Sequence, residues 1–258
     1  MNLFDMTGKV AIITGSSRGI GRAIAERMAE HGAKVVISSR KAAPCQEVAD
    51  AINARHGAGS AIVVPANISS KEELQRLVDE TRKQLGRIDV LVCNAASNPY
   101  FGPLTGLKED VFQKIMQNNV MSNLWLMNMV GPEMAERKDG AFIIVSSIGA
   151  LVGSAHIAAY NMSKAADLSL VKSLAMEWGK HNIRVNAIAP GLIQTDFAKA
   201  LWDNPQIRAA QENKASLKRI GQPDDIGGVA VFLASKAGNF VCGQCIIADG
   251  GVIGAGAE

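Results

Sequence analysis

The chain is poor in the residues that cross-link a fold or hold a metal. Its 258 residues include only four cysteines, Cys45, Cys93, Cys242 and Cys245. Disulfide frameworks belong to short, cysteine-dense secreted chains, and this chain is neither. Only Cys242 and Cys245 stand close enough for a C-x-x-C motif. They follow Phe240-Val241 and run into Ile246-Ile247, which reads as a turn entering a strand. The redox motif precedes a helix instead, and no second pair completes a zinc site. Small packed thiols in a reducing compartment are the expectation. The four histidines, His31, His56, His156 and His181, have no ligand spacing, so no metal is expected. His31 and His56 read as surface residues. His156, four residues before Tyr160, lines a pocket or simply serves its loop.

Charge of one sign is also missing. The 27 basic and 24 acidic residues leave a net charge of +3 with no Lys/Arg-rich run, which argues against a nucleic-acid partner. Met1 to Val10 lacks the apolar core of a secretory signal. Gly140 to Ser163 carries no Asp, Glu, Lys or Arg. A membrane helix needs about 20 predominantly apolar residues. Here Ser146, Ser147, Gly149, Gly153, Ser154 and His156 interrupt the stretch, so it reads as a strand, a loop and a helix start. A cytoplasmic protein with no membrane partner is expected.

What is present is ordinary globular composition, 48% hydrophobic and 20% charged. A chain of this length buries a sizeable core as one large α/β domain. Short apolar runs alternate with helix-like segments. The runs are Val10–Ile13, Val35–Ile37, Ala61–Val64, Val90–Val92, Phe142–Val145, Val185–Ile188 and Cys245–Ile247. They are continuously apolar, which marks strands covered on both faces. Ile20, Ile24 and Met28 recur at four-residue spacing after the first run, and Gly32 ends that helix. No repeat or linker divides the chain. The expected fold is therefore α/β: a single-domain, doubly wound (Rossmann-type), seven-stranded parallel sheet with helices on both faces. Ligands of such sheets bind beyond the carboxyl ends of the strands.

The first of those ends carries Thr14-Gly15-Ser16-Ser17-Arg18-Gly19-Ile20-Gly21. Glycines there allow a tight turn and close approach of a pyrophosphate, and the following helix offers free N–H groups to that anion. Tyr160 and Lys164 are four apart on a helical pattern that continues through Leu168, Val171 and Ala175, so they share a face. A tyrosine is too weak an acid to ionise at neutral pH, with a reference pKa of about 10. A nearby ammonium favours its phenolate and lowers that value. Ser147 ends the fifth strand thirteen residues before Tyr160.

The T-G-x-x-x-G-x-G spacing resembles the short-chain dehydrogenase/reductase family. Asn94-Ala95-Ala96, Asn119, Ser147, Tyr160-Asn161-Met162-Ser163-Lys164, Pro190-Gly191 and Asp249-Gly250-Gly251 follow in the family's order, over nearly the whole chain. Ala96 replaces a glycine, and Asn67 stands where an aspartate often contacts adenine; its side-chain oxygen could still accept from the adenine amino group. The resemblance implies an oxidoreductase with a catalytic set of Asn119, Ser147, Tyr160 and Lys164. Tyr160 would exchange a proton with the substrate oxygen, Ser147 would stabilise that oxygen, and Lys164 would also hold the nicotinamide ribose. The Asn119 backbone carbonyl would hold a water linking Lys164 to solvent. Cofactor contacts would come from Gly15, Ser17, Arg18, Gly19, Ile20, Gly21, Ser39, Arg40, Asn67, Asn94, Tyr160, Lys164, Pro190 and Gly191, with Ile193 and Thr195 anchoring the carboxamide.

Cofactor choice turns on the end of the second strand. An acid there would bind the ribose 2′-hydroxyl of NAD, whereas arginine accommodates the 2′-phosphate of NADP. Ser38-Ser39-Arg40-Lys41 contains no acid, and Arg18 can approach the same phosphate, so NADP(H) is expected. The segments after the fourth to sixth strands supply Asn98 to Gly102, Ile148, Leu151, Leu192, Phe197, Leu201 and Trp202. Ser147, Ile148, Leu192, Phe197 and Trp202 head the expected substrate pocket. It is apolar and aromatic, suiting a hydrophobic carbonyl/alcohol substrate. Several stretches resemble an NADPH-dependent carbonyl-reductase branch of the family: Ser38 to Lys41, Asn98-Pro99 with Phe101-Gly102, Val145 to Ile148, Pro190 to Ile193, and Leu201-Trp202. That branch has a peroxisomal C-terminal tripeptide, whereas this chain ends Gly256-Ala257-Glu258. A second enzymatic reading is a 3-oxoacyl-carrier-protein reductase, which would use basic residues at the pocket mouth, with Lys138 and His181 as candidates. A non-enzymatic reading, a binding protein that kept the fold, would be expected to have lost the tyrosine, lysine or serine. Thr195 to Leu217 reads as a long helical lid. Apolar residues on more than one face of Val111–Met134 and Tyr160–Trp178 point to a homo-oligomer, and the family to a homotetramer.

Overall fold

The computed structural model describes residues 2–254. The terminal Gly256 to Glu258, on which the comparison of C-terminal tripeptides rests, lie outside the described residues. Seven parallel strands form one sheet in the order β3-β2-β1-β4-β5-β6-β7. They are β1 (Val10–Thr14), β2 (Lys34–Ser38), β3 (Ala61–Val63), β4 (Val90–Cys93), β5 (Gly140–Val145), β6 (Ile183–Pro190) and β7 (Cys245–Ala248). Each of the seven apolar runs became a strand.

Alternate side chains of each strand feed two separate cores. Ala11 and Ile13 face one layer, in which Ile24 and Met28 of α1 (Gly19–Glu30), Val48 of α2 (Ala42–His56) and Ile226 of α8 (Pro223–Ala234) are packed. Ile12 and Phe142 face the other, with Leu74 and Leu77 of α3 (Lys71–Leu85), Val130 of α5 (Ser122–Arg137) and Val171 of α6 (Ala158–Trp178). Burial on both faces is why the strands read as unbroken apolar runs. The helix starts and stops are local. Ser70 accepts a hydrogen bond from the Glu73 N–H at the start of α3, and Gly86 takes a left-handed conformation at its end.

Strand order reverses between β1 and β4. β2 lies on one side of β1 and β4 on the other, with Ile13 paired to Ile37 and to Val92. The chain segments leaving β1 and β4 diverge there and open a crevice at the carboxyl edge. The residues that follow β1, β4, β5 and β6 converge on it.

Two departures from the sequence reading concern helices. The segment around Asn119 is not uniform: α4 (Glu109–Met116) passes through a π-helical turn (Gln117–Met121) into α5. The segment from Thr195 to Leu217 is not one long helix. It divides into a 3-10 stretch (Asp196–Leu201) and α7 (Pro205–Lys214). Asn204 caps α7 through the N–H groups of Gln206 and Ile207, and Pro205 at the first turn prevents continuation from the preceding stretch. Among the described residues, no helix is long and apolar enough to cross a membrane.

Candidate active site

The glycine loop is held from β4. Thr14 Oγ1 accepts hydrogen bonds from the N–H groups of Asn94 and Ala95, each at 3.1 Å. Asn94 Nδ2 donates to the carbonyls of Thr14 and Gly15 at 2.9 and 3.1 Å. The chain is so tight here that a Cβ on Gly21 would lie 2.4 Å from the Gly15 oxygen. Arg18, in extended conformation, precedes α1 without a side-chain cap, and the first turn of α1 carries no acidic residue. Those N–H groups and the positive helix end are therefore free to meet an anion. A Cβ on Gly19 would meet Thr195 Cγ2 at 3.1 Å, so the segment after β6 closes over the loop. This cradle fits a dinucleotide pyrophosphate.

Ser39 and Arg40 follow β2 on the same edge. Arg40 is exposed and makes no hydrogen bond or ion pair among the described residues. Arg18 pairs with Asp196 at 3.3 Å, with both side chains about 70% exposed. Such a pair is worth little and can be exchanged for a phosphate. Ser39 Oγ lies 3.0 Å from Cys45 Sγ, and Ser17 stands in the turn itself. Asn67 differs from expectation. Its Oδ1 already accepts from the N–H and hydroxyl of Ser69, so that oxygen is engaged within its own turn. The Ile193 side chain is buried in the core beside Gly221, with which its main chain forms a bridge. Gly191 follows Pro190, the last residue of β6, and packs against Asp249 beyond β7.

Asn119, Ser147, Tyr160 and Lys164 come together at the ends of β4 and β5. The π-helical turn rotates Asn119 inward. Its Oδ1 accepts from Ser97 N–H at 2.8 Å, and its Nδ2 donates to Ser97 O and to Ser163 Oγ. Ser163 Oγ in turn donates to the Tyr160 carbonyl. Lys164 Nζ donates to Val145 O at 2.9 Å and to Asp167 Oδ2 at 3.2 Å, and sits 5.8 Å from the centre of the Tyr160 ring. Ser147 Oγ accepts from Gly149 N–H, and its hydroxyl is within reach of the Tyr160 phenol.

Lys164 lowers the phenol as expected, but burial outweighs it. Burial pushes the Tyr160 phenol above its ordinary value; Lys164 and Ser147 pull it back, and Asp167 adds to the upward push. Burial works against the Lys164 ammonium too, but Asp167 and Tyr160 outweigh it and hold its value up. Burial also raises Asp167, against the pull of Lys164 and Asn123. Lys164 therefore offsets the burial of the Tyr160 phenol only in part, and the phenol stays above its ordinary value.

Sequence reasoning missed Asn123 and Asp167. Asn123 Nδ2 bridges the Asn119 carbonyl at 2.6 Å and Asp167 Oδ1 at 3.0 Å. Asn123 thus ties the Asn119 carbonyl to the Asp167 carboxylate. An acid three residues after Lys164, on an otherwise apolar stretch of helix, was the available signal.

At the carboxyl edge of the sheet, the segments after β4, β5 and β6 carry exposed apolar side chains. Phe197 lies 6.1 Å from the Tyr160 ring, centre to centre, and is 60% exposed. Phe101 stacks on exposed His156 at 5.1 Å, so that histidine braces two loops. Leu151 and Leu201 are exposed, while Ile148 and Leu192 are half-buried. Trp202 is less free than expected, because its indole N–H donates to Thr195 O at 2.8 Å and ties the lid segment back on itself. Lys138 and His181 precede β5 and β6, at the opposite edge of the sheet. They cannot rim this site, which removes the basic residues cited for an acidic carrier.

The family model described as enoyl-(acyl carrier protein) reductase matches residues 15–253. Dehydrogenase/reductase SDR family member 4 of Bos taurus is 40% identical over 247 residues, covering 95% of this chain and 88% of that protein. A gluconate 5-dehydrogenase of Burkholderia cenocepacia, solved with NADP and tartrate, superposes with a TM-score of 0.92 at 30% identity over 98% of both chains. A 7α-hydroxysteroid dehydrogenase, solved with NADH and 7-oxo glycochenodeoxycholic acid, gives 0.92 at 36% identity over 97% of both. With seven apolar runs realised as strands and the tyrosine, lysine, serine and asparagine gathered at one sheet edge, the chain belongs to the short-chain dehydrogenase/reductase family of oxidoreductases.

Proposed function

We propose that the protein is an NADPH-dependent reductase of hydrophobic ketones or 1,2-diketones, with Tyr160 as the proton donor. The observation that carries this reading is the grouping of Tyr160 with Lys164 and Ser147 beside the exposed Phe197 ring, on the sheet edge where Phe101, Leu151 and Leu201 are also exposed. Bound NADPH supplies the hydride. The Tyr160 hydroxyl gives its proton to the substrate oxygen, and the Ser147 hydroxyl donates to the same oxygen as its charge grows. Lys164 holds the ribose and returns a proton to the phenolate, with a water on the Asn119 carbonyl completing the route to solvent. Residues 195–217 act as the lid that excludes water. The free cysteines support a reducing, cytoplasmic setting.

The NADPH preference rests on Ser39, Arg40 and Arg18, since relatives of this fold are solved with NADP and with NADH. Arg40→Asp removes a charge-assisted phosphate contact and adds repulsion. It should raise KM for NADPH strongly and for NADH little, and equal catalytic efficiency with both cofactors in the unmodified protein would refute the preference.

Assembly as a homotetramer fits the same reading. Met116, Val120, Leu124, Trp125 and Leu170 line an apolar hollow of roughly 520 Å³ on the outer face of α4–α5 and α6. Met176, on α6, is 85% exposed. A second copy of the chain would cover these faces. Light scattering should report a multiple of 27.3 kDa at micromolar concentration, and a single monomeric species would exclude it.

Tyr160→Phe should lower turnover by about 10²–10⁴-fold while leaving NADPH binding, read by cofactor fluorescence, nearly unchanged. Retention of most of the activity would reassign the donor. A substrate panel tests the substrate class. Aromatic ketones and diketones should exceed charged acyl thioesters and sugars in kcat/KM. A tenfold advantage for the charged compounds, about 1.4 kcal/mol of transition-state binding, would overturn it.

A further inference from the structure

Asp167 is a fully buried carboxylate that neither the proton transfer nor the cofactor cradle requires. It lies one turn beyond Lys164 on α6, with 0% of its surface exposed. One oxygen accepts from Lys164 Nζ at 3.2 Å, the other from Asn123 Nδ2 at 3.0 Å. Both contacts are donors, which suits an ionised carboxylate. The surrounding groups are otherwise uncharged. β4 contributes Cys93, whose thiol burial holds protonated. β5 contributes the Val145 carbonyl and the Ser146 hydroxyl, which donates to Lys164 O. The π-helical turn and α5 contribute Asn119 and Asn123, the lid contributes Phe197, and α6 itself adds Tyr160 and Ser163. Among the described residues in this cluster, Lys164 and Asp167 carry the only formal charges.

We propose that Asp167 is a positioning residue that fixes the Lys164 ammonium and cancels its charge, so that Tyr160 keeps its proton and the site favours carbonyl reduction over alcohol oxidation near neutral pH. The proposal rests on Tyr160 being the proton donor. Its physical content is a charge count. With Asp167 present, the Tyr160–Lys164–Asp167 unit is neutral while the phenol holds its proton, and carries −1 once the proton leaves. Without Asp167 the same loss takes the unit from +1 to zero. A buried site penalises net charge, so Asp167 opposes phenolate formation and its removal favours it. In the reductive direction the proton passes from the Tyr160 oxygen to the substrate oxygen. The phenolate left behind is reprotonated from solvent by way of Lys164, and the negative net charge favours that return. In the oxidative direction Tyr160 must begin as phenolate, the form that Asp167 disfavours.

The geometry adds a second function. An ammonium has three N–H donors. Val145 O and Asp167 Oδ2 take two of them, which leaves one aimed by the other two. Asn123 ties the carboxylate to the Asn119 carbonyl, so the ammonium, the carboxylate and the π-helical turn form one hydrogen-bonded unit.

The chain has two tyrosines, Tyr100 and Tyr160, which makes the proton on Tyr160 directly observable. In a Tyr100→Phe background, the near-ultraviolet phenolate band of the folded protein reports Tyr160 alone. Adding Asp167→Asn should move the midpoint of that band to lower pH by about one unit or more, the size of shift that one close charge produces. An unchanged or raised midpoint in a variant that still melts cooperatively would overturn the proposal, because a merely structural Asp167 would alter the melting temperature and not the phenol. If Asp167→Asn fails to fold, Asp167→Leu with Asn123→Leu fills the same space without the charge or its amide partner, and the same downward shift is required. The titration needs no substrate and no turnover. A failed substrate panel would therefore count against the reductase reading while leaving this result to be judged alone.

Discussion

The arrangement at the carboxyl edge of the sheet depends on one buried ammonium. Lys164 is almost wholly enclosed, and a lone charge in that position would be expelled or neutralised. It persists because it has three partners from two elements: the last carbonyl of β5, and from α6 itself the carboxylate of Asp167 and the face of the Tyr160 ring. The same lysine is anchored through its main chain, since Ser146 Oγ donates to its carbonyl at 2.9 Å. Removing one partner of such a buried pair typically costs about 3–5 kcal/mol, because the other charge is left uncompensated. α6 is thereby registered against β5 to within a hydrogen bond, and Ser147, which follows Ser146, is placed relative to Tyr160 as a consequence.

The strands were legible because burial on both faces leaves an unbroken apolar signature, and all seven appeared within a few residues of their apolar runs. The glycine loop was legible because backbone crowding admits little else: the space a Cβ would need at Gly21 is filled by the Gly15 carbonyl and the Asn94 amide. Tyr160 and Lys164 were legible as a helical pair. The clustering of Asn119 with them was given by resemblance alone. The π-helical turn that brings it inward follows from tertiary hydrogen bonds to Ser97 and Ser163, which no local pattern encodes.

What was not legible shares a cause. Asp167 was overlooked because an isolated acid on a helix normally faces water, and of its two partners one, Asn123, lies on another helix. The pull of the lysine on the Tyr160 phenol was legible; the burial that outweighs it and the carboxylate that works alongside that burial were not. Lys138 was misjudged through position, because the sheet separates it from the site by the length of a strand; the tie between the Trp202 indole and Thr195 is a tertiary detail of the 3-10 stretch. Asn67 shows the limit of side-chain equivalence, because its oxygen serves the Ser69 turn before it can serve a ligand.

The two ends of the site obey opposite electrostatic rules. At the glycine loop, positive charge is left exposed and weakly paired: Arg40 has no partner among the described residues, and Arg18 has one it can relinquish to an anion. At the tyrosine, positive charge is buried and paired to neutrality. An exposed cation attracts a charged ligand without fixing a protonation state, because solvent screens it from the reacting groups. A buried cation cannot be screened, so any imbalance there falls on the nearest titratable group, which is Tyr160. On the proposed reading, pairing Lys164 with Asp167 would let one chain hold an anionic cofactor through surface arginines while keeping the proton that its chemistry consumes.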